Sequence, residues 1–242
     1  MGEGDRVLEV GAGLGSLTVA LAETGAEVLA VEFDRALVPA LEEAIASFAN
    51  VRVEVADALR LDVRSLLAGG EWSMVSNLPY NVAVPLLVRM LDGVPQIRSY
   101  LVMVQREVGE RLASAPGGPA YGAVSARVAY LADAEVLRRV PPTVFWPEPK
   151  VDSVLLRLTP RTPTVDCDRA ALFRVIEEGF GQRRKTMGNA LRRLGLDARG
   201  AARVLEECGL RPDARAEQLG LPEFARLAGA LLHEGVLEEA GR

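Results

Sequence analysis

The 242-residue chain is predicted to be α/β: a Rossmann-like, mostly parallel sheet ending in a β-hairpin, followed by a small all-α domain. Three observations predict this. Short β-rich runs alternate with helical segments from residue 7 to about residue 158, the rhythm of a parallel sheet whose strands are joined by helical crossovers. A glycine turn, Gly11-x-Gly13-x-Gly15, follows the first apolar run directly, as at the ligand-binding edge of such sheets. Strand signals then vanish after Thr159-Pro-Arg-Thr-Pro163, which reads as a linker. The expected domains are therefore 1–160 and 161–242.

The elements follow in order. Residues 7–10 are the first strand, and Leu17-Thr-Val-Ala-Leu-Ala22 is the helix after the glycine turn. Residues 28–31, 51–55, 74–76 and 100–104 are β-rich, while 37–48 and 83–91 carry apolar residues at helical spacing. Glu135-Val-Leu-Arg-Arg-Val140 and Ser153-Val-Leu-Leu-Arg-Leu158 flank a Pro-rich loop, 141–150, and read as the terminal hairpin. From Phe173 onward the pattern is helical, punctuated by Gly195, Gly209 and Pro212.

A hydrophobic content of 49% supplies a full core. Cys167 and Cys208 make neither a metal spacing nor a disulfide framework, so no metal and a reduced, cytoplasmic setting are expected. No apolar run approaches the roughly 20 residues of a membrane span. Glu3 and Asp5 stand where a secretory signal would carry basic residues. The net charge of −5 argues only weakly against a polyanionic partner, because local distribution decides such binding. A monomer is the default expectation.

Ser16 stands where the dinucleotide pattern needs its third glycine, so the turn is not that of a nicotinamide enzyme. Glu9-x-Gly-x-Gly is the form usual in methyltransferases that bind S-adenosylmethionine. Glu32 closes the second strand, where a carboxylate can hold both ribose hydroxyls. Asp57 follows the third strand, placed to accept from an adenine amino group. Singly, each reads more readily as an ordinary turn or a solvated strand-end acid. Recurring after successive strands at one sheet edge, they make a pocket.

Ser76-Asn-Leu-Pro-Tyr80 follows the fourth strand and is the most specific motif. An exocyclic amine on a base is a poor nucleophile because its lone pair is delocalised into the ring. Two acceptors aimed at its hydrogens draw it toward tetrahedral geometry. Asn77 can offer its side-chain oxygen and Leu78 its backbone carbonyl, with Pro79 restricting Leu78 to extended conformations. Tyr80 can stack on a base taken out of its helix. No strong base is needed, which suits a chain whose one histidine, His233, lies in the last helix and reads as a surface residue.

Together, Glu9-Val-Gly11, Glu32-x-Asp34 and Asn77-Leu-Pro-Tyr80 resemble the ribosomal RNA adenine N6-dimethyltransferases. Gln105-Arg-Glu-Val-Gly-Glu-Arg-Leu112, Tyr121-Gly-Ala-Val-Ser125 and Phe145-Trp-Pro-Glu-Pro-Lys-Val-Asp-Ser153 are similar to the small-subunit, kasugamycin-sensitivity branch. So are Phe180-Gly-Gln-Arg-Arg-Lys-Thr-Met-Gly-Asn189 and Arg215-Ala-Glu-x-Leu219.

The resemblance implies a class I methyltransferase fold and S-adenosylmethionine as cofactor, contacted by Gly11, Gly13, Glu32, Asp57 and Asn77. It implies that Asn77, Leu78, Pro79 and Tyr80 hold the target adenine while Phe145 closes on its other face. The implied substrate is a pair of adjacent adenines in the 3′-terminal hairpin loop of small-subunit rRNA, each methylated twice at N6 on an immature 30S particle.

The helical domain would dock on that particle. Arg174, Arg183, Arg184, Lys185, Arg192 and Arg193 concentrate positive charge there, and Arg183, Arg184 and Lys185 read as a basic collar for phosphates. Family members carry a Gln-Asn-Phe-Leu segment ahead of the first strand, so an upstream segment is expected before Met1, absent through a start-site error or truncation. Two other readings compete: a large-subunit rRNA adenine methyltransferase conferring antibiotic resistance, and a non-catalytic ribosome-assembly or nucleic-acid-binding factor on the same fold.

Overall fold

A computed structural model describes residues 1–67, 69–182 and 185–238. Arg6–Val10 (β1), Glu27–Glu32 (β2), Val51–Val55 (β3), Trp72–Asn77 (β4) and Ile97–Gln105 (β5) run parallel. Ala132–Val140 (β6) and Ser153–Pro160 (β7) form the hairpin, with β7 antiparallel to both β5 and β6. The sheet order is β3-β2-β1-β4-β5-β7-β6. Strands β1, β2 and β4 are buried along nearly their whole length, as expected for strands covered on both faces.

The order reverses between β1 and β4, since the chain winds outward from β1 to β3 and then crosses back. That switch point opens a crevice beyond the carboxyl ends of the two strands. The first crossover is tight. Gly15, at φ +88, starts helix Ser16–Ala22 (α1), and a Cβ there would meet Leu41 Cδ1 at 3.0 Å and Ala44 Cβ at 3.3 Å. Glycine thus lets α1 approach helix Val38–Ile45 (α2). The later crossovers are Val63–Leu66 (α3) and Ala83–Gly93 (α4). Helices Arg106–Leu112 (α5) and Ala123–Leu131 (α6) lie between β5 and β6. The sequence reading missed α3, α5 and α6. Asp62 caps α3 by accepting from Ser65 N at 3.1 Å, which holds a helix too short to show periodicity.

The chain divides into two compact units, Met1–Gly109 with Ala132–Pro160, and Glu110–Leu131 with the chain from Arg161 onward. Residues 110–131, expected within the first domain, therefore group with the helical residues. The reason is packing. Tyr130 meets Phe173 edge-on at 5.4 Å and Tyr121 meets Phe180 at 5.7 Å, so α6 and the loop before it complete the helical core.

That second unit adds Arg169–Phe180 (α7), Met187–Leu194 (α8), Ala198–Glu207 (α9) and Leu221–His233 (α10). Asp168 and Asp197 cap α7 and α9, accepting from Ala171 N and Gly200 N at 2.7 Å each. Leu172, Ile176, Leu191, Phe224 and Leu227 are fully buried in its core, and His233 is exposed. Arg183 and Arg184 lie outside the described residues. Lys185 is exposed in the connection between α7 and α8 rather than on a helix. Arg193, one of the residues expected to concentrate positive charge here, is paired with Glu178 at 3.0 Å. Among the described residues no helix is long and apolar enough to cross a membrane.

Candidate active site

A cavity of about 420 Å³ opens at the switch point, bordered by Gly11, Gly13, Glu32, Phe33, Asp57 and Pro79, among others. Its size suits a small organic cofactor. Gly11 stands at φ +79, and a Cβ on it would press against Pro79 Cδ at 3.2 Å. The glycine turn and the Asn-Leu-Pro-Tyr turn therefore touch, so no side chain fits between them.

Glu32 is the keystone of the cavity. Its Oε2 accepts from Gly13 N at 2.8 Å and its Oε1 from Asp34 N at 2.7 Å, at 6% exposure. Each oxygen retains a second lone pair for a hydroxyl donor. Asp57 borders the same cavity, with Oδ1 accepting from Leu59 N at 2.9 Å. The loop that carries it is pinned from α4, where Arg89 donates to the Ala58 carbonyl at 2.6 Å and the Leu61 carbonyl at 2.8 Å.

Sequence reasoning missed Arg89, and it missed Phe33, which stands at the cavity rim 73% exposed. Phe33 had a signal: an apolar residue directly between Glu32 and Asp34 at a strand end. Arg89 had none, because its partners lie in another crossover. Asn77, expected among the cofactor contacts, does not border this cavity.

Asn77 instead borders a second hollow of about 280 Å³, together with Leu78, Pro79, Tyr80 and Phe145. Pro79 is the wall common to both spaces. Asn77 is exposed, and its side-chain amide makes no hydrogen bond among the described residues. Leu78 is buried, and its N–H donates to the Met103 carbonyl at 3.1 Å, so β5 fixes the direction of its peptide. The Tyr80 hydroxyl is 3.0 Å from Ser153 Oγ, which anchors the turn to the first residue of β7. The Pro-rich loop thus meets the Asn-Leu-Pro-Tyr turn. Among the described residues no cluster of His, Cys, Asp and Glu is arranged to hold a metal ion.

Glu9 sits beneath the glycine turn at 1% exposure, and its Oε2 lacks a hydrogen-bond partner among the described residues. Burial pushes its carboxyl up to about 7, with Glu32's charge adding to the rise and Thr18 opposing it. The Thr18 hydroxyl comes near without completing a well-formed hydrogen bond. Between 4.5 and about 7 the unfolded chain gives up this proton while the folded chain keeps it. Stability should therefore fall as pH rises through that window, by about 2 to 3 kcal/mol, and level off above it. Glu9→Gln should remove that slope. Urea unfolding of both proteins at about pH 5 and about pH 8 checks this: an equal stability difference at the two pH values would refute the assignment.

The model of the ribosomal RNA adenine dimethylase family matches residues 1–231. The chain is 44% identical over 251 residues to the ribosomal RNA small subunit methyltransferase A of Cutibacterium acnes, covering 100% of this chain and 84% of that protein. Among solved structures, a dimethyladenosine transferase from Plasmodium falciparum has the same fold, with a TM-score of 0.79 at 22% identity, over 97% of this chain and 92% of that one. The 23S rRNA methyltransferase ErmE matches with a TM-score of 0.70 at 25% identity, over 95% of this chain and 92% of that one.

Proposed function

The chain belongs to the ribosomal RNA adenine dimethylase family, and from that premise we propose that it dimethylates N6 of two adjacent adenines in the 3′-terminal hairpin loop of small-subunit rRNA, on an immature 30S particle. It is an S-adenosylmethionine-dependent rRNA adenine dimethyltransferase. The observation that carries the reading is Pro79, one side chain bordering both a cofactor-sized cavity and the hollow of Asn77 and Tyr80.

The residues of the cavity fit the cofactor. Glu32 would take the two ribose hydroxyls on its free lone pairs, Asp57 the adenine amino group, and Phe33 one face of the adenine ring. Gly13 has open space where a Cβ would stand, so its backbone can lie against the ligand. When bound, S-adenosylmethionine supplies a methyl group on a positively charged sulfur, an electrophile that needs only an exposed nitrogen lone pair.

The chain's own residues expose that lone pair on the target amine. Asn77 Oδ1 and the Leu78 carbonyl accept the two amino hydrogens and draw the nitrogen out of conjugation with the ring. Tyr80, oriented by Ser153, and Phe145 clasp the base from its two faces. The amine's proton then passes to solvent, since methylation makes the nitrogen strongly acidic. Lys185, with Arg183 and Arg184, would contribute phosphate contacts, and the protein would act as a cytoplasmic monomer.

The large-subunit alternative is weaker, because the relative that is 44% identical across the whole of this chain is a small-subunit methyltransferase. Incubation with methyl-labelled S-adenosylmethionine and unmethylated small subunits should yield labelled N6,N6-dimethyladenosine. Label on large subunits alone would overturn the substrate assignment, and label on neither would favour a binding factor.

A further inference from the structure

The Pro-rich loop carries Trp146 at 98% exposure, far beyond the other exposed large apolar side chains. It borders the hollow shared by Asn77, Tyr80 and Phe145. Such a ring gains nothing for the fold, since almost none of its surface is buried. Its support is stiff nevertheless. Pro141, Pro142, Pro147 and Pro149 lie within ten residues, and Pro142–Val144 forms a 3₁₀ turn. The loop returns to β7 through Arg106 N donating to the Asp152 carbonyl at 2.9 Å, beside an Arg106–Asp152 ion pair at 4.0 Å. A ring held out on a stiff loop loses little conformational freedom on meeting a ligand.

Phe145 is extended, at φ −111 and ψ 151, so consecutive side chains there leave the backbone on opposite sides. Phe145 is half-buried toward the hollow while its neighbour is presented outward. Two aromatic faces thus stand in sequence, one inside the base pocket and one at its mouth.

We propose that Trp146 is the stacking platform for the nucleobase next to the target adenine, holding the second adenine of the pair while the first is methylated. The proposal rests on the reading of the Asn77–Tyr80 hollow as the target-base pocket. A nucleotide joined by one phosphodiester to a base in that hollow must leave through its mouth, which Trp146 borders. Every base has a π-face, so stacking fixes the neighbour without reading its edge. Trp146 is a positioning residue: it sets where the strand lies and contacts no reacting atom.

The test uses the full chain, unmethylated small subunits and a single-stranded RNA containing two adjacent adenines. Trp146→Ala should raise KM for the subunits roughly tenfold, about 1.4 kcal/mol, with kcat within about twofold. Trp146→Phe should recover most of that loss. The chain has two tryptophans, and Trp72 is buried, so RNA should quench the fluorescence of the wild type and leave that of Trp146→Phe unchanged. Asn77→Ala separates the two ideas. If it abolishes transfer while Trp146→Ala behaves as wild type and the RNA gives no quench, the platform is wrong and the base pocket stands. If neither substitution alters transfer, the pocket reading fails and the platform falls with it.

Discussion

Asn77→Ala is expected to slow methyl transfer roughly 10²–10³-fold, the usual cost of removing one preorganised group that stabilises a transition state. The carboxamide is exposed at the mouth of the hollow and makes no intramolecular hydrogen bond among the described residues. Its loss should leave the fold intact. It does not border the larger cavity, so S-adenosylmethionine affinity should stay within about threefold, under 1 kcal/mol. Single-turnover transfer to small subunits and calorimetric titration of the cofactor measure the two effects separately. Asn77→Asp, which keeps an acceptor, should retain more activity than the alanine variant. Equal losses of cofactor affinity and rate would instead return Asn77 to the cofactor site, as the sequence alone suggested.

Glu32→Ala is expected to cost at least roughly 10²-fold in cofactor affinity, the scale of about 3 kcal/mol. It acts twice. It removes the acceptor for the ribose hydroxyls, and it strands the N–H groups of Gly13 and Asp34, which the carboxylate now ties together at 2.8 and 2.7 Å. Donors left unpaired in this part-buried turn cost up to about 1 kcal/mol each, so the melting temperature should fall as well. Glu32→Gln is not a mild control, because its NH₂ group would face one of those two N–H donors. We expect it to bind nearly as poorly as the alanine variant. Cofactor titration and thermal unfolding of both variants provide the check, and unchanged affinity in either would remove Glu32 from the site.

Much of the fold was legible because each strand of the sheet announces itself locally. The runs at 7–10, 28–31 and 51–55 fall within observed strands, and the hairpin flanks the expected Pro-rich loop. The short helix α3 was missed because four residues carry too few turns to show a period. The site was half legible. Strand-end acids and the Asn-Leu-Pro-Tyr turn stand out by residue type and spacing. Phe33 could have been read from its place between Glu32 and Asp34, but Arg89 could not, since its hydrogen bonds reach carbonyls 31 and 28 residues away.

By itself, the sequence determined the parallel sheet, its terminal hairpin and the residue types offered at its strand ends. All of these follow from local periodicity and from residue types at strand ends. The tertiary structure alone decided that Gly11 abuts Pro79, that Pro79 divides two pockets and that residues 110–131 join the helical unit. It alone left Glu9 buried and Trp146 bare. Each of these depends on which distant segments become neighbours, and crossovers and sheet order set that without leaving a local pattern.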